Sequence, residues 1–371
     1  MGPRSPALPK PRGRLSEAVI GRLRQGTPLP ASPVPAGCDP YGGDLQLALY
    51  LCYELHYRGF AGVDPGLEWE PELLRVRRDL EDRFLAALRS DATRHEGVDE
   101  AVTALLAEPA HGVSVSHYLR REGELWQLRE LAAQRSLYHL KEADPHAWVL
   151  PRLWGRAKAG MAAVEFDEYG GGRAERIHAR LFAALMADLG LDPAYGRYLD
   201  QAPAPMLAAV NLMSLFGLHR ALRGCLVGHF ATVEITSSPA SRRMAEAMRR
   251  TGAGSAAAYF YDEHVEADAV HEQVVRREVM AGLLEEEPDL AADVAFGVDA
   301  TVHLDERLER HLLAAWREGR TSLEGAGLAD LTEPGPGGDL TEPGPGGDLP
   351  GPGPGGDLPG PGPGGRGRGR G

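Results

Sequence analysis

The chain is poor in cysteine. Cys38, Cys52 and Cys225 are the three among 371 residues, and their spacing is unpaired. That excludes a disulfide framework and fits ordinary thiols of a reduced compartment. A basic excess is missing too: 40 basic residues against 53 acidic ones leave a net charge of −13. A phosphate backbone calls for a basic surface, so this balance argues against nucleic acid as the main partner. The opening MGPRSPALPKPRGRLSEA lacks the apolar core of a secretory signal. Runs apolar enough to span a membrane are also lacking. The longest uncharged stretch, Gln201 to Leu218, contains two prolines and an asparagine and ends at His219-Arg220, which reads as a buried helix. A cytoplasmic protein without a membrane or nucleic-acid partner is the expectation. Alternating apolar and polar residues, the mark of a sheet, are absent as well.

What is there is helical periodicity. LQLALYLCYELHYRGF, ELLRVRRDLEDRFLAALR, HYLRREGELWQLRELAAQRSLYHL and RIHARLFAALMADLGL each repeat apolar residues every three or four positions. Residues 41–322 are therefore expected to form one all-α domain with a substantial core. Residues 1–40, rich in Pro, Gly and Arg, are expected to be mostly disordered, with a short helix at LSEAVIGRLR. Residues 323–371 differ again. DLTEPGPGG begins at Asp330 and Asp339, then drifts to DLPGPGPGG at Asp348 and Asp357, and GRGRGRG closes the chain. A nine-residue Gly/Asp period can signal a calcium-binding β-roll. The prolines in each repeat cannot donate to a sheet ladder, so a disordered tail is expected instead.

The candidate chemistry sits in the helical part. In YDEHVEADAVHEQ, His264, Asp268 and His271 fall at about 0°, 40° and −20° around a helix axis, one narrow polar stripe. Neutral imidazoles with a carboxylate on one face suit iron, manganese or zinc, and carboxylate-rich surroundings favour the first two. A charged, solvated helix face is the competing reading. Glu234 lies in NLMSLFGLHRALRGCLVGHFATVEITSSP, read as one long helix ending near that glutamate. A carboxylate in such an apolar setting is costly unless paired or metal-bound. His178 follows EFDEYGGGRAERI, with Glu175 three residues before it and Glu168 ten before it. Glu-x-x-His is a building unit of di-iron carboxylate bundles. Helical geometry alone chooses Glu175, and the glycines 170 to 172 leave spacing unable to decide. Glu142 precedes an Asp-Pro break in HLKEADPHAWVLPRL, where His146 reads as a turn or cap residue.

Glu142, Glu168, His178, Glu234 and His264-x-x-x-Asp268-x-x-His271, in this order, resemble the haem-oxygenase-like di-iron oxidases and oxygenases, the iron-containing redox enzymes. The resemblance covers roughly residues 40 to 320. It implies a haem-oxygenase-like helical bundle holding two Fe(II)/Fe(III) ions without haem, with dioxygen as co-substrate. It implies as metal ligands Glu142, Glu168, His178, Glu234, His264, Asp268 and His271, and so favours Glu168 over Glu175. Similar proteins hydroxylate amine nitrogens, cleave amino acids oxidatively or decarboxylate fatty acids, so a small organic substrate of one of these classes is implied. An external electron donor and a homodimer are compatible with it. A non-catalytic iron-binding or iron-delivery protein is the alternative. A bundle using a thiamine-type or purely apolar pocket is a third reading.

Overall fold

Start signals and apolar stripes explain why these residues wind into helices. In the stretch Pro71–Asp91, Pro71 takes the first helical position and the Glu70 carboxylate accepts from the Leu73 amide at 2.8 Å. Leu73, Val76, Leu80, Phe84 and Leu88 then line one buried face. The computed structural model describes residues 5–30, 34–35, 37–107 and 114–325, and among them there is no strand. The helices are α1 (Arg14–Gln25), α2 (Gly43–Glu54), α3 (Pro71–Asp91), α4 (Val98–Leu106) and α5 (Val115–Arg121). They continue as α6 (Leu125–His139), α7 (Asp144–Ala147), α8 (Gly155–Glu168), α9 (His178–Asp188) and α10 (Ala204–Leu218). The last are α11 (Arg223–Thr251), α12 (Ser255–Val274), α13 (Ala281–Glu286) and α14 (Ala291–Arg317). No helix among the described residues is long and apolar enough to cross a membrane.

At the centre lies α11, packed against α12, α14, α5 and α10. Its contact with α14 depends on two glycines. A Cβ on Gly228 would collide with the Val294 carbonyl oxygen, and one on Gly297 with that of Cys225. Small residues there let two backbones touch where larger ones would hold them apart. Beyond this crossing, α11 and α14 both contribute walls to a cavity that starts at His229 and Thr301.

Two expectations about extent change. The first concerns the N-terminal segment, expected to be mostly disordered around a short helix at LSEAVIGRLR: that helix is present, and its surroundings are ordered as well. Residues 14–25 form α1, which buries Leu15, Val19, Ile20 and Leu23 against the body of the fold. Its first amides donate to a residue of another helix, Leu15 and Ser16 to the Asp44 carboxylate at 3.0 and 2.8 Å. The flanking residues are pinned too: the Ala61 amide donates to the Pro6 carbonyl at 2.8 Å, and Arg12 Nη2 to the Leu199 carbonyl at 3.0 Å. Composition reads these prolines and arginines as unfoldable because their partners are remote in sequence. At the other end the tail repeats, residues 330–371, lie outside the described residues.

The second change concerns Glu234. The expected single helix is two, broken at His219, whose backbone is extended (φ −105°, ψ 115°). α11 then runs on through Pro239 to Thr251, so Glu234 sits in a helix interior and not at an end. Proline removes one ladder donor and crowds the preceding turn. The apolar face of Met244, Ala245 and Met248 beyond it is buried, and that packing carries the helix past the break.

Candidate metal centre

α12 presents His264, Asp268 and His271 on one face, all buried. Opposite them, α8 ends at Glu168 and α9 begins at His178. Between these lie Gly170, Gly171 and Gly172, with φ of 79°, 61° and 80°. Side-chain-bearing residues avoid this region, and a Cβ on Gly170 would stand 2.8 Å from the Arg176 carbonyl carbon. The triplet reverses the chain and sets Glu168 Oε2 2.7 Å from His178 Nδ1. Glu175 lies on the exposed turn Ala174–Arg176, away from the cluster. The structure thus brings Glu168, and not Glu175, to His178.

The remaining residues complete one buried group. Glu142, Glu168, His178 and His264 each offer a donor atom within 4.8 Å of the others, and so do Glu168, Asp268 and His271. Glu168 belongs to both sets. Glu234, from the middle of α11, joins through His271, whose Nδ1 lies 3.3 Å from Glu234 Oε2, 3.6 Å from Glu168 Oε1 and 3.7 Å from Asp268 Oδ1. All seven residues singled out in the sequence meet here.

The electrostatics are those of a cluster short of positive charge. Burial lowers the affinity of the His271 ring for a proton, but Asp268, Glu234 and Glu168 overcome it and raise its pKa to about 11. His178 likewise loses by burial and gains from Glu168, Glu142 and Asp268, ending at about 9. Burial, with Asp268 and Glu168 nearby, pushes the Glu234 carboxyl up to about 8. Burial also works to raise Glu142, yet the imidazoles of His139, His264 and His178 hold it down at about 2. Protons here do the work a cation would do.

Hydrogen bonding points the same way. His264 Nδ1 donates to the Phe260 carbonyl at 2.7 Å, which fixes the tautomer and turns the lone pair of Nε2 into the cluster. That Nε2 has no hydrogen-bond partner, nor does Asp268 Oδ2, while His178 Nδ1, His271 Nδ1 and Glu234 Oε2 meet only one another, Glu168 or Asp268, in charged contacts not aligned as hydrogen bonds. Buried polar atoms are seldom left unpaired. Orphans of imidazole and carboxylate type, converging on one volume, fit a metal such as iron. His271 Nε2 faces Asp167 Oδ2 at 3.3 Å, which leaves Nδ1 turned inward.

Three neighbours went unrecognised in the sequence. His139, at the end of α6, places Nδ1 3.0 Å from Glu142 Oε2. Its signal was the His-x-x-Glu spacing across the helix end. Asp167 adjoins Glu168 and carried no separate signal. Glu165 shares the buried face of α8 with Glu168, three residues on, and both its oxygens lack partners. Burial, then Glu168 and Asp144, pushes its carboxyl up to about 9. His146 occupies the short turn of helix α7, in keeping with its position after Asp-Pro, and is buried there. Its ring lies 5.3 Å from that of His229.

The cluster opens on a cavity of ≈ 220 Å³, which Glu142, Glu168, Glu234, His264 and Asp268 help to line. Leu131, Phe230, Met213 and Met244 make much of its apolar wall.

A family model described as iron-containing redox enzyme, of haem-oxygenase type, matches residues 129–306. Every residue of the cluster falls within that span. Over that span the chain matches this haem-oxygenase-like family, which supports an iron-dependent redox role. A search of curated proteins gives no match.

Proposed function

We propose that the chain is a non-haem di-iron oxidase or oxygenase that uses dioxygen to oxidise a small organic molecule. One observation carries this reading: two buried sets of imidazole and carboxylate donors share Glu168 and open on a cavity. Two sets sharing a carboxylate suit two metal ions, and this oxygen-rich donor chemistry suits iron. We assign Glu142, Glu168, Glu234, Asp268, His178, His264 and His271 to hold them. Two ferrous ions held there would supply the electrons that reduce dioxygen.

The surrounding residues have separable tasks. The Phe260 carbonyl and the Asp167 carboxylate orient His264 and His271, so that each ring turns one nitrogen inward. His139 keeps Glu142 in place through Nδ1. Glu165 stands buried beside Glu168 on the same helix face, where burial, with Glu168 and Asp144 nearby, works against its ionisation. Phe230 and Leu131 keep bulk water from the cavity side. A protein that only stores or delivers iron has no use for a cavity beside its donors, which favours the catalytic reading.

Anaerobic titration with ferrous iron followed by dioxygen tests the proposal. Uptake of oxygen that depends on an added amine, amino acid or fatty acid is expected. Uptake with iron release, indifferent to every such compound, would support storage instead.

A further inference from the structure

The cavity has a second polar end. On α6, residues 130–134 and 136–138 are buried, yet Arg135 in their midst is exposed, because it faces the cavity. Across from it α14 contributes Asp305, also exposed to the cavity, with Glu309 one turn further on. Arg135 and Asp305 feel one another's charge, but among the described residues neither makes an ion pair or hydrogen bond. Glu309 Oε1 accepts from the Val115 amide at 3.1 Å, which holds that carboxylate at the cavity edge. Opposite charges that confront each other across a void without closing on each other leave room for something between them.

Resting on the reading of the cluster as the reacting centre, we infer that this end binds the head group of an α-amino acid. The α-carboxylate sits on the Arg135 guanidinium, a planar fork suited to two parallel hydrogen bonds. The α-ammonium sits on Asp305, with Glu309 adding negative charge from the next turn. The side chain then points toward the metal donors. Arg135 lies one helical turn before His139, and His139 touches Glu142. The four-residue step from Arg135 to His139 is about 6 Å of axial rise. A chain of roughly five bonds, at about 1.2 Å per bond, covers that distance. Phe230, Tyr261 and Phe260, whose ring lies 5.5 Å from that of His139, give such a chain a largely apolar path. A fatty acid would satisfy Arg135 and leave Asp305 facing a hydrocarbon. A simple amine would do the reverse. The zwitterion satisfies both.

Calorimetric titration of the full-length protein, iron-loaded without oxygen and separately iron-free, tests this. The probes are the twenty proteinogenic L-amino acids with L-norleucine, and hexanoate and pentylamine as its two half-molecules. At least one amino acid should bind both forms, and more tightly than hexanoate or pentylamine binds. Arg135→Met and Asp305→Asn should each weaken that binding at least about tenfold, as expected when one partner of a charged contact is lost. Both variants should keep wild-type iron content, since neither residue touches the cluster, and that content also reports that they fold. Absence of binding by every amino acid overturns the inference. So does hexanoate binding as tightly as L-norleucine, or amino-acid binding that survives both substitutions. Iron stoichiometry, measured on the same protein, reports on the cluster independently: amino-acid binding by a protein that takes up no specific iron when loaded would sink the metal reading and leave the head-group site standing.

Discussion

Glu168 and Glu175 lie on either side of a glycine turn, and their different surroundings give the site its clearest local test. Glu168→Ala should lower iron content, because its carboxylate belongs to both donor sets. Glu175→Ala should leave iron content at the wild-type value, because that side chain is exposed and belongs to neither donor set. Iron assay of the two purified variants decides, and equal behaviour would contradict the placement. His139→Ala removes a group that steadies a donor without being one. A loss of about 10–100-fold in iron affinity is expected, as for other outer partners of metal ligands. The α12 stripe was legible in the sequence because a helix places i, i+4 and i+7 on one face. The choice between Glu168 and Glu175 was not legible from spacing, because three positive-φ glycines reverse the chain between them. Glu165 and His139 were missed because an acid or imidazole near a helix end looks like a surface residue until its neighbours in space are known.

At the scale of the helix, the crossing of α11 and α14 holds the cavity's deep end in place. Gly228→Ala would force a methyl into the Val294 carbonyl oxygen. Overpacking of this kind typically costs 1–3 kcal/mol, so a fall in thermal midpoint is expected. A midpoint equal to wild type would mean that the two helices can separate without penalty. α9 is a second case. Phe182, Leu185 and Met186 are buried, so packing orders most of the helix without metal. Only the approach to it, from the glycine triplet to His178, should exchange amide hydrogens faster without iron than with it. Hydrogen exchange with and without ferrous iron checks this, and uniform protection in both states would contradict it. Helix existence was read correctly where periodicity was strong, as in α3, α6 and α9. The end of α11 was misread because Pro239 is a strong local stop, and only packing beyond it shows that the helix continues. α1 was undervalued because its capping carboxylate, Asp44, belongs to another helix.

For the molecule as a whole, the two ends of the chain should behave differently. Deleting residues 1–26 removes four buried aliphatic side chains, each worth about 1.5–3 kcal/mol of burial at most. A marked loss of thermal stability or of soluble yield is expected. Truncation after Gly327 should change neither melting temperature nor iron content. The described fold closes before it, with the Ser322 amide donating to Glu130 Oε1 at 3.0 Å and the Glu324 amide to the Gln201 carbonyl at 2.9 Å. The central claim is that seven side chains from α8, α9, α11, α12 and the turn after α6 hold two irons. It is tested most directly by anaerobic ferrous titration of the intact protein beside its His264→Ala, Asp268→Ala and His271→Ala variants. The account predicts about two ions per chain for the wild type and weakened binding in every variant. A wild type that takes up no specific iron, or three variants that bind it as well as the wild type does, would contradict it.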